Sequence, residues 1–280
     1  MKCLNPECPA DTPPSVRFCP TCGSDNGYPN VRQAEAETEA LGHRLAEAEV
    51  RAAARACLAQ LNAFREKVAD SVAVIATSPN KAHALLKDPS ALYTTFYRMV
   101  ASGARMPLPN WFDRVRGVAD ELLFPNYRDY ISFAALSLDG VGCSYYGTVH
   151  LVLADFAIRQ RATVFEENSL LYSYRNRLGV HKELEPGHRA TWVMRDHLAA
   201  VKLEPKLDPH MTAADFAGLL LSRPHRYDSD MIEVHIYERL NGPSIRKVLI
   251  TAGGDADDEI MKQQVLRVCQ RNGIACEDVR

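Results

Sequence analysis

The chain has 280 residues, 46% of them apolar and 24% charged, with a formal net charge of −2. That composition supports a sizeable core and excludes a disordered chain, and the near-neutral balance excludes a global basic field that would gather nucleic acid or anionic membrane. The N-terminus carries no basic stretch followed by an apolar run, and no later stretch approaches the ~18 apolar residues needed to cross a bilayer, so a cytoplasmic protein with no membrane partner is expected.

The chain opens on four cysteines in two close pairs. Cys3 and Cys8 form C-x4-C, Cys19 and Cys22 form C-x2-C, and ten residues separate the pairs. Zn2+ takes four thiolates at tetrahedral corners, about 2.3 Å from the metal, and two tight turns supply them without long-range chain order. Residues 1–27 are therefore expected to form a zinc ribbon, with Gly23 taking the positive φ that turns amides toward the sulfurs. Four thiolates close the coordination shell, which makes the Zn2+ structural and not catalytic. Lys2 and Arg17 stand against Glu7, Asp11 and Asp25, a balance that favours protein contact or N-terminal capping over nucleic acid. The other cysteines, Cys57, Cys143, Cys269 and Cys276, have no partner spacing and read as isolated thiols.

Residues 28–78 are rich in Ala, Glu, Arg, Leu and Gln. Leu41, Leu45, Ala48 and Ala52, then Leu58, Leu61, Arg65, Val68, Val72 and Ile75 in a shifted register, recur at helical spacing. A long helical arm of ~45 residues is expected, docked along the protein's own body or self-associating as a coiled coil. Residues 79–280 then read as an α+β domain, a mixed and mostly antiparallel sheet with helices. Helical patterns cover 81–87, 91–101, 111–123, 192–202, 213–221 and 259–271. Strand patterns cover 130–138, 147–153, 162–165, 232–237 and 247–250. The regular β-α-β rhythm of a doubly wound fold is absent, as are a P-loop, a G-x-G-x-x-G and a G-x-S-x-G.

Two stretches carry chemistry. In Ile232-Glu233-Val234-His235-Ile236 the alternation puts Glu233 and His235 on one face, near Asp228 and Asp230; a solvated outer face explains the same pattern. Between Arg159 and Arg195, basic residues including Arg161, Arg175, Arg177, Lys182 and Arg189 outnumber Glu166, Glu167, Glu183 and Glu185, with Tyr172, Tyr174 and Trp192 interleaved. Such a stretch either clamps a nucleotide or single strand, or is a solvated mixed surface.

The late strand with Glu233, the following run 240–250 and the Asn272-Gly273-Ile274 ending together resemble the C-terminal part of mono-ADP-ribosyltransferases, nearest the DarT-type toxins that modify DNA bases. Segments 146–153 and 161–169 are similar in style to strand-turn segments of that fold, so the likeness runs over about residues 98–280. The resemblance implies NAD as substrate, a nucleic-acid or protein acceptor, a toxin or defence role, and Glu233 as the catalytic carboxylate. It also implies Arg105, by chain order, as the phosphate-holding residue and Ser132 as the hydroxyl of the second core strand. His235 joins them as a cofactor-binding candidate through its place beside Glu233. The family's Ser-Thr-Ser triplet is missing, since Phe133 and Ala134 follow Ser132. The alternative is a non-enzymatic zinc-ribbon adaptor that binds a protein or nucleic-acid partner.

Overall fold

The computed structural model describes residues 2–179, 184–222 and 230–279. Residues 2–28 form two turns, bridged at Lys2–Asp11 and Phe18–Asp25. Asn26, wholly buried, ties them together by accepting from the Leu4 amide at 2.9 Å and donating to the Thr12 hydroxyl at 3.2 Å.

The expected arm is three helices, α1 (Pro29–Ala36), α2 (Thr38–Ala54) and α3 (Leu58–Ala69), followed by a strand, β1 (Val72–Thr77). The chain breaks at Arg55–Cys57, where Ala56 takes φ +57°. Val72 and Ile75 thus belong to the sheet and not to a helix. Most of the seam is spent internally: Leu41, Leu45, Leu61 and Val68, with Phe64, join the core of the sheet domain, while Leu58 is exposed. Phe64 meets Phe216 edge-on at 5.3 Å, and burying such a side chain stabilises by roughly 1.5–3 kcal/mol. Buried Glu204 accepts from Arg51 at 3.0 Å and from Arg55 at 2.8 Å, which pins α2 to the far end of the domain.

Beyond β1 come α4 (Pro79–Lys87), the short strand β2 (Leu92–Tyr93), α5 (Phe96–Ala101), α6 (Trp111–Leu123), β3 (Ile131–Ser137), β4 (Val149–Leu153), α7 (Asp155–Ile158), β5 (Ala162–Phe165) and α8 (Ser169–Arg175). The remainder is β6 (Arg189–Thr191), α9 (Arg195–Leu203), α10 (Phe216–Leu220), β7 (Glu233–Tyr237), β8 (Leu240–Asn241), β9 (Ile245–Ile250), α11 (Ala256–Asn272) and β10 (Ala275–Asp278). The main sheet runs β10-β9-β4-β1-β3-β7-β5-β6. Among the described residues its pairings are antiparallel, apart from β10 on β9. β1, early in sequence, is therefore at the centre of an α+β sheet. No helix among the described residues is long and apolar enough to cross a membrane.

One sheet face holds the main core, with Ala73, Ile75, Leu151, Val234 and Ile236 turned toward the packed helices. β4 is covered on both sides, and on the second face the Gly142 amide donates to Nδ1 of buried His150 at 3.1 Å. α6 covers the second face near β7 through Leu123, packed with Phe124, Ile131 and Phe165.

An ion-pair cluster staples α2 to β5 and β6. Glu166 accepts from Arg44 at 2.8 Å and from His188 at 2.6 Å, and Arg189 pairs with Glu37 at 2.7 Å. Burial works against the Glu166 charge, but the bonds from His188 and Arg44 win and hold its pKa down, from 4.5 to about 2. A carboxylate with a depressed folded-state pKa stabilises the fold above its unfolded pKa and loses that contribution as pH falls toward the folded value. Glu166→Gln is expected to be less stable than the parent at neutral pH, with the difference shrinking between about pH 4.5 and pH 2. Urea midpoints across that range check it; a pH-independent difference would rule out the ion pairs as the cause.

Candidate active site

A cavity of about 300 Å3 opens on the second sheet face, between β1, β3 and β7 below and α5, α6 and the start of α8 around it. Its floor includes Val74, Phe133, Ala135 and Glu233. Register explains this set: Glu233 lies opposite Ala135 on β3 and Phe165 on β5, and the intervening Val234 points into the core.

Glu233 is only 4% exposed and its carboxylate is held at both oxygens. Oε2 accepts from the Ser169 amide at 3.0 Å and lies 2.9 Å from Nε2 of His235, while Oε1 accepts from the Asn168 side-chain amide at 3.2 Å. The local sequence supplies those donors. Asn168 caps α8 by accepting from the Leu171 amide at 3.0 Å, which leaves its own amide nitrogen and the next backbone N–H for Glu233. His235 is boxed by the rings of Phe124, Phe133 and Phe165 at 4.7–5.8 Å. The alternating strand is therefore no solvated flank.

Arg105 and Ser132 also line the cavity, which brings three of the candidate residues to one place. Their side chains are differently disposed. Arg105 lies in the loop between α5 and α6 and not on a strand; it pairs with Asp113 at 2.9 Å and lies 4.7 Å over the Phe96 ring. Ser132 is in register with Ile236, so its hydroxyl faces the main core and has no hydrogen-bond partner among the described residues. His235 is behind Glu233 and is not part of the cavity wall. It positions the carboxylate.

Two side chains on the wall escaped the sequence reading, Arg116 and Asp120 of α6. The Arg116 guanidinium lies between the Phe96 and Phe133 rings, at 5.2 and 5.6 Å, with no hydrogen bond or ion pair among the described residues. Burial disfavours its charge, yet Asp120, the Tyr146 hydroxyl and Glu233 hold its pKa above the ordinary arginine value. Asp120 is 2% exposed and accepts from the Tyr97 hydroxyl at 2.7 Å; burial pushes it up to about 6. The available signal was the spacing of Asp113, Arg116 and Asp120, which share one face of a helix that opens on Trp111 and Phe112.

No protein-family model matches the chain. No curated protein sequence matches it. Among solved structures it is similar to the DarT of Thermus sp. 2.9 in complex with ADP-ribosylated ssDNA, with a TM-score of 0.34 and 10% sequence identity over 73% of this chain and 91% of that chain. What the site can do follows from its own geometry.

The basic stretch is mostly spent internally. Arg161 donates to the Tyr237 carbonyl at 2.6 Å, Arg189 pairs with Glu37, and Arg195 lies 4.4 Å over the ring of buried Trp192. Arg175 pairs with Glu167, while Tyr174 and Arg177 are exposed. Asp230 is taken by Lys202 at 2.6 Å and by Lys206. Lys182, Glu183 and Asp228 lie outside the described residues.

At the N-terminus the sulfurs of Cys3, Cys8, Cys19 and Cys22 lie within 4.8 Å of one another, a set that could hold a metal ion. The Cys3–Cys22 and Cys8–Cys19 separations are 3.6 and 3.9 Å, against about 3.8 Å for the edge of a tetrahedron with 2.3 Å bonds. The Cys22 amide directed at Cys19, helped by that of Thr21, draws its thiol down to about 6. Gly23 has φ +74°, as the turn requires.

Proposed function

We propose that the cavity binds NAD, breaks its nicotinamide–ribose bond and transfers ADP-ribose to a nucleic-acid or protein acceptor. The observation that carries this reading is the Glu233 carboxylate, held by the Ser169 amide, the Asn168 side chain and His235 and lining a cavity that also holds the Arg116 guanidinium, which makes no ion pair among the described residues. When the glycosidic bond breaks, positive charge develops on the ribose, and a preorganised carboxylate in a water-poor site stabilises it without reorganising. The resemblance of the 232–250 segment to mono-ADP-ribosyltransferases points the same way, and a toxin or defence effector is the setting it suggests.

A volume of about 300 Å3 lies at the lower end of the range for ligand clefts and suits the nicotinamide–ribose end of the dinucleotide. Arg116 is the group with capacity for the phosphates, since Arg105 is already engaged by Asp113. In the same reading the four-cysteine cluster holds Zn2+ as a structural ion: four thiolates at tetrahedral separations suit it and leave no open coordination position.

The test is nicotinamide release and transfer of adenylate label from NAD, with NAD affinity read by thermal shift. Arg116→Ala is expected to weaken NAD binding by at least about tenfold, the loss of one buried charge-assisted contact, and Arg105→Ala by less than about threefold. The reverse order would return the phosphate role to Arg105. Binding of a partner without any NAD turnover would favour the adaptor.

A further inference from the structure

Resting on that reading of the cavity, we propose that Asp120 is the base that removes the acceptor's proton during transfer. Three carboxylates line the cavity among the described residues, Asp113, Asp120 and Glu233. Asp113 is consumed, accepting from Arg105 at 2.9 Å and from the Leu108 amide at 2.9 Å. Glu233 is bonded at both oxygens, which suits a fixed countercharge and leaves it little freedom to collect a proton. Asp120 differs from both. Its Oδ2 accepts from Tyr97, while Oδ1 has no hydrogen bond among the described residues, and it projects from α6 into the same cavity.

The step balances without a further reactant. The ribose–nicotinamide bond breaks with its electron pair leaving on nicotinamide. The acceptor's oxygen or nitrogen, or that of water, bonds to the ribose carbon, and its proton passes to Oδ1 of Asp120. Two buried carboxylates in different environments then have different roles: one holds charge and the other moves a proton. The groups facing Asp120 are Tyr97 from α5, Arg116 one turn earlier on α6, Arg128 from the turn before β3, and Glu233 from β7. Their balance, with burial, puts Asp120 at about 6, where a general base is effective near neutral pH.

Water is an acceptor that needs no identification, so the experiment follows nicotinamide release from NAD across pH 5–9 for the parent, Asp120→Asn, Asp120→Glu, Tyr97→Phe and Glu233→Gln. The parent is expected to gain rate through about pH 6. Asp120→Asn should lose that limb and about a hundredfold or more at pH 8, with NAD affinity within about twofold, while Asp120→Glu keeps a limb. Tyr97→Phe removes a bond that favours the ionised form, so its limb should move to higher pH and give a readout even if Asp120→Asn misfolds. If the parent turns over and Glu233→Gln does not, yet Asp120→Asn keeps rate and limb, Asp120 is not the base and the reading of the cavity survives. If the parent releases no nicotinamide, both fall.

Discussion

Glu233→Gln is expected to reduce nicotinamide release by at least about a hundredfold while leaving the fold intact, the loss typical of removing one preorganised charge partner of a transition state. Glutamine is the informative substitute because of where the carboxylate sits. Its oxygen can still accept from the Ser169 amide, whereas alanine would strand that N–H, the Asn168 amide and the His235 ring inside the protein. Each stranded polar group costs about 1–3 kcal/mol, so an inactive Glu233→Ala protein would confuse lost chemistry with lost structure. Stopped-flow or endpoint nicotinamide assays, paired with thermal melts, separate the two. Turnover within threefold of the parent would remove Glu233 from the mechanism.

With Zn2+ held by the four-cysteine cluster, as proposed, chelation is expected to unfold residues 2–28 selectively. The segment has little apolar core of its own, and binding energies of about 10–16 kcal/mol are usual for structural zinc in such small units, so metal occupancy and folding are one equilibrium. Arg17 reports the state. In the folded ribbon it is clamped by Asp25 at 2.7 Å and lies 4.2 Å over the Tyr28 ring, which in turn packs 5.6 Å from Tyr237 of β7. After chelation or Cys19→Ser, trypsin should cut at Arg17 at least about tenfold faster, while the sheet domain resists. Mass spectrometry of the untreated protein should find one zinc ion. Protection that survives chelation would show that docking alone holds the segment.

The sequence was most legible where one pattern admitted one reading. The strand at 162–165 and the helix at 111–123 lie where alternation and helical spacing put them, and the cysteine pairs converge because their turns are local. β1 was lost to ambiguity: Val72 and Ile75 continue the apolar spacing of α3, and an alanine-rich run satisfies either period until the sheet claims it. β6 and β10 carry no alternation of apolar residues and are strands only because β5 and β9 offer edges to pair with. At the site, polar residues alternating on a strand read as facing water, and α6 turned that face into an interior. The same effect hid Arg116 and Asp120. A helix's polar stripe looks like a solvent face until the opposite surface is known, and here it closes over β7.

The position of β1 has a bearing on how the molecule assembles. Its ladder pairs Val72 with Ser137 and Val74 with Val152, so the middle of the sheet joins only after long excursions of chain have closed. Until that strand is seated, β10-β9-β4 and β3-β7-β5-β6 are two half-sheets with facing unpaired edges, open to pairing with other chains. Helices α1 to α3 lead directly into this keystone, so a chain cut after β1 is expected to leave the two half-sheets unjoined.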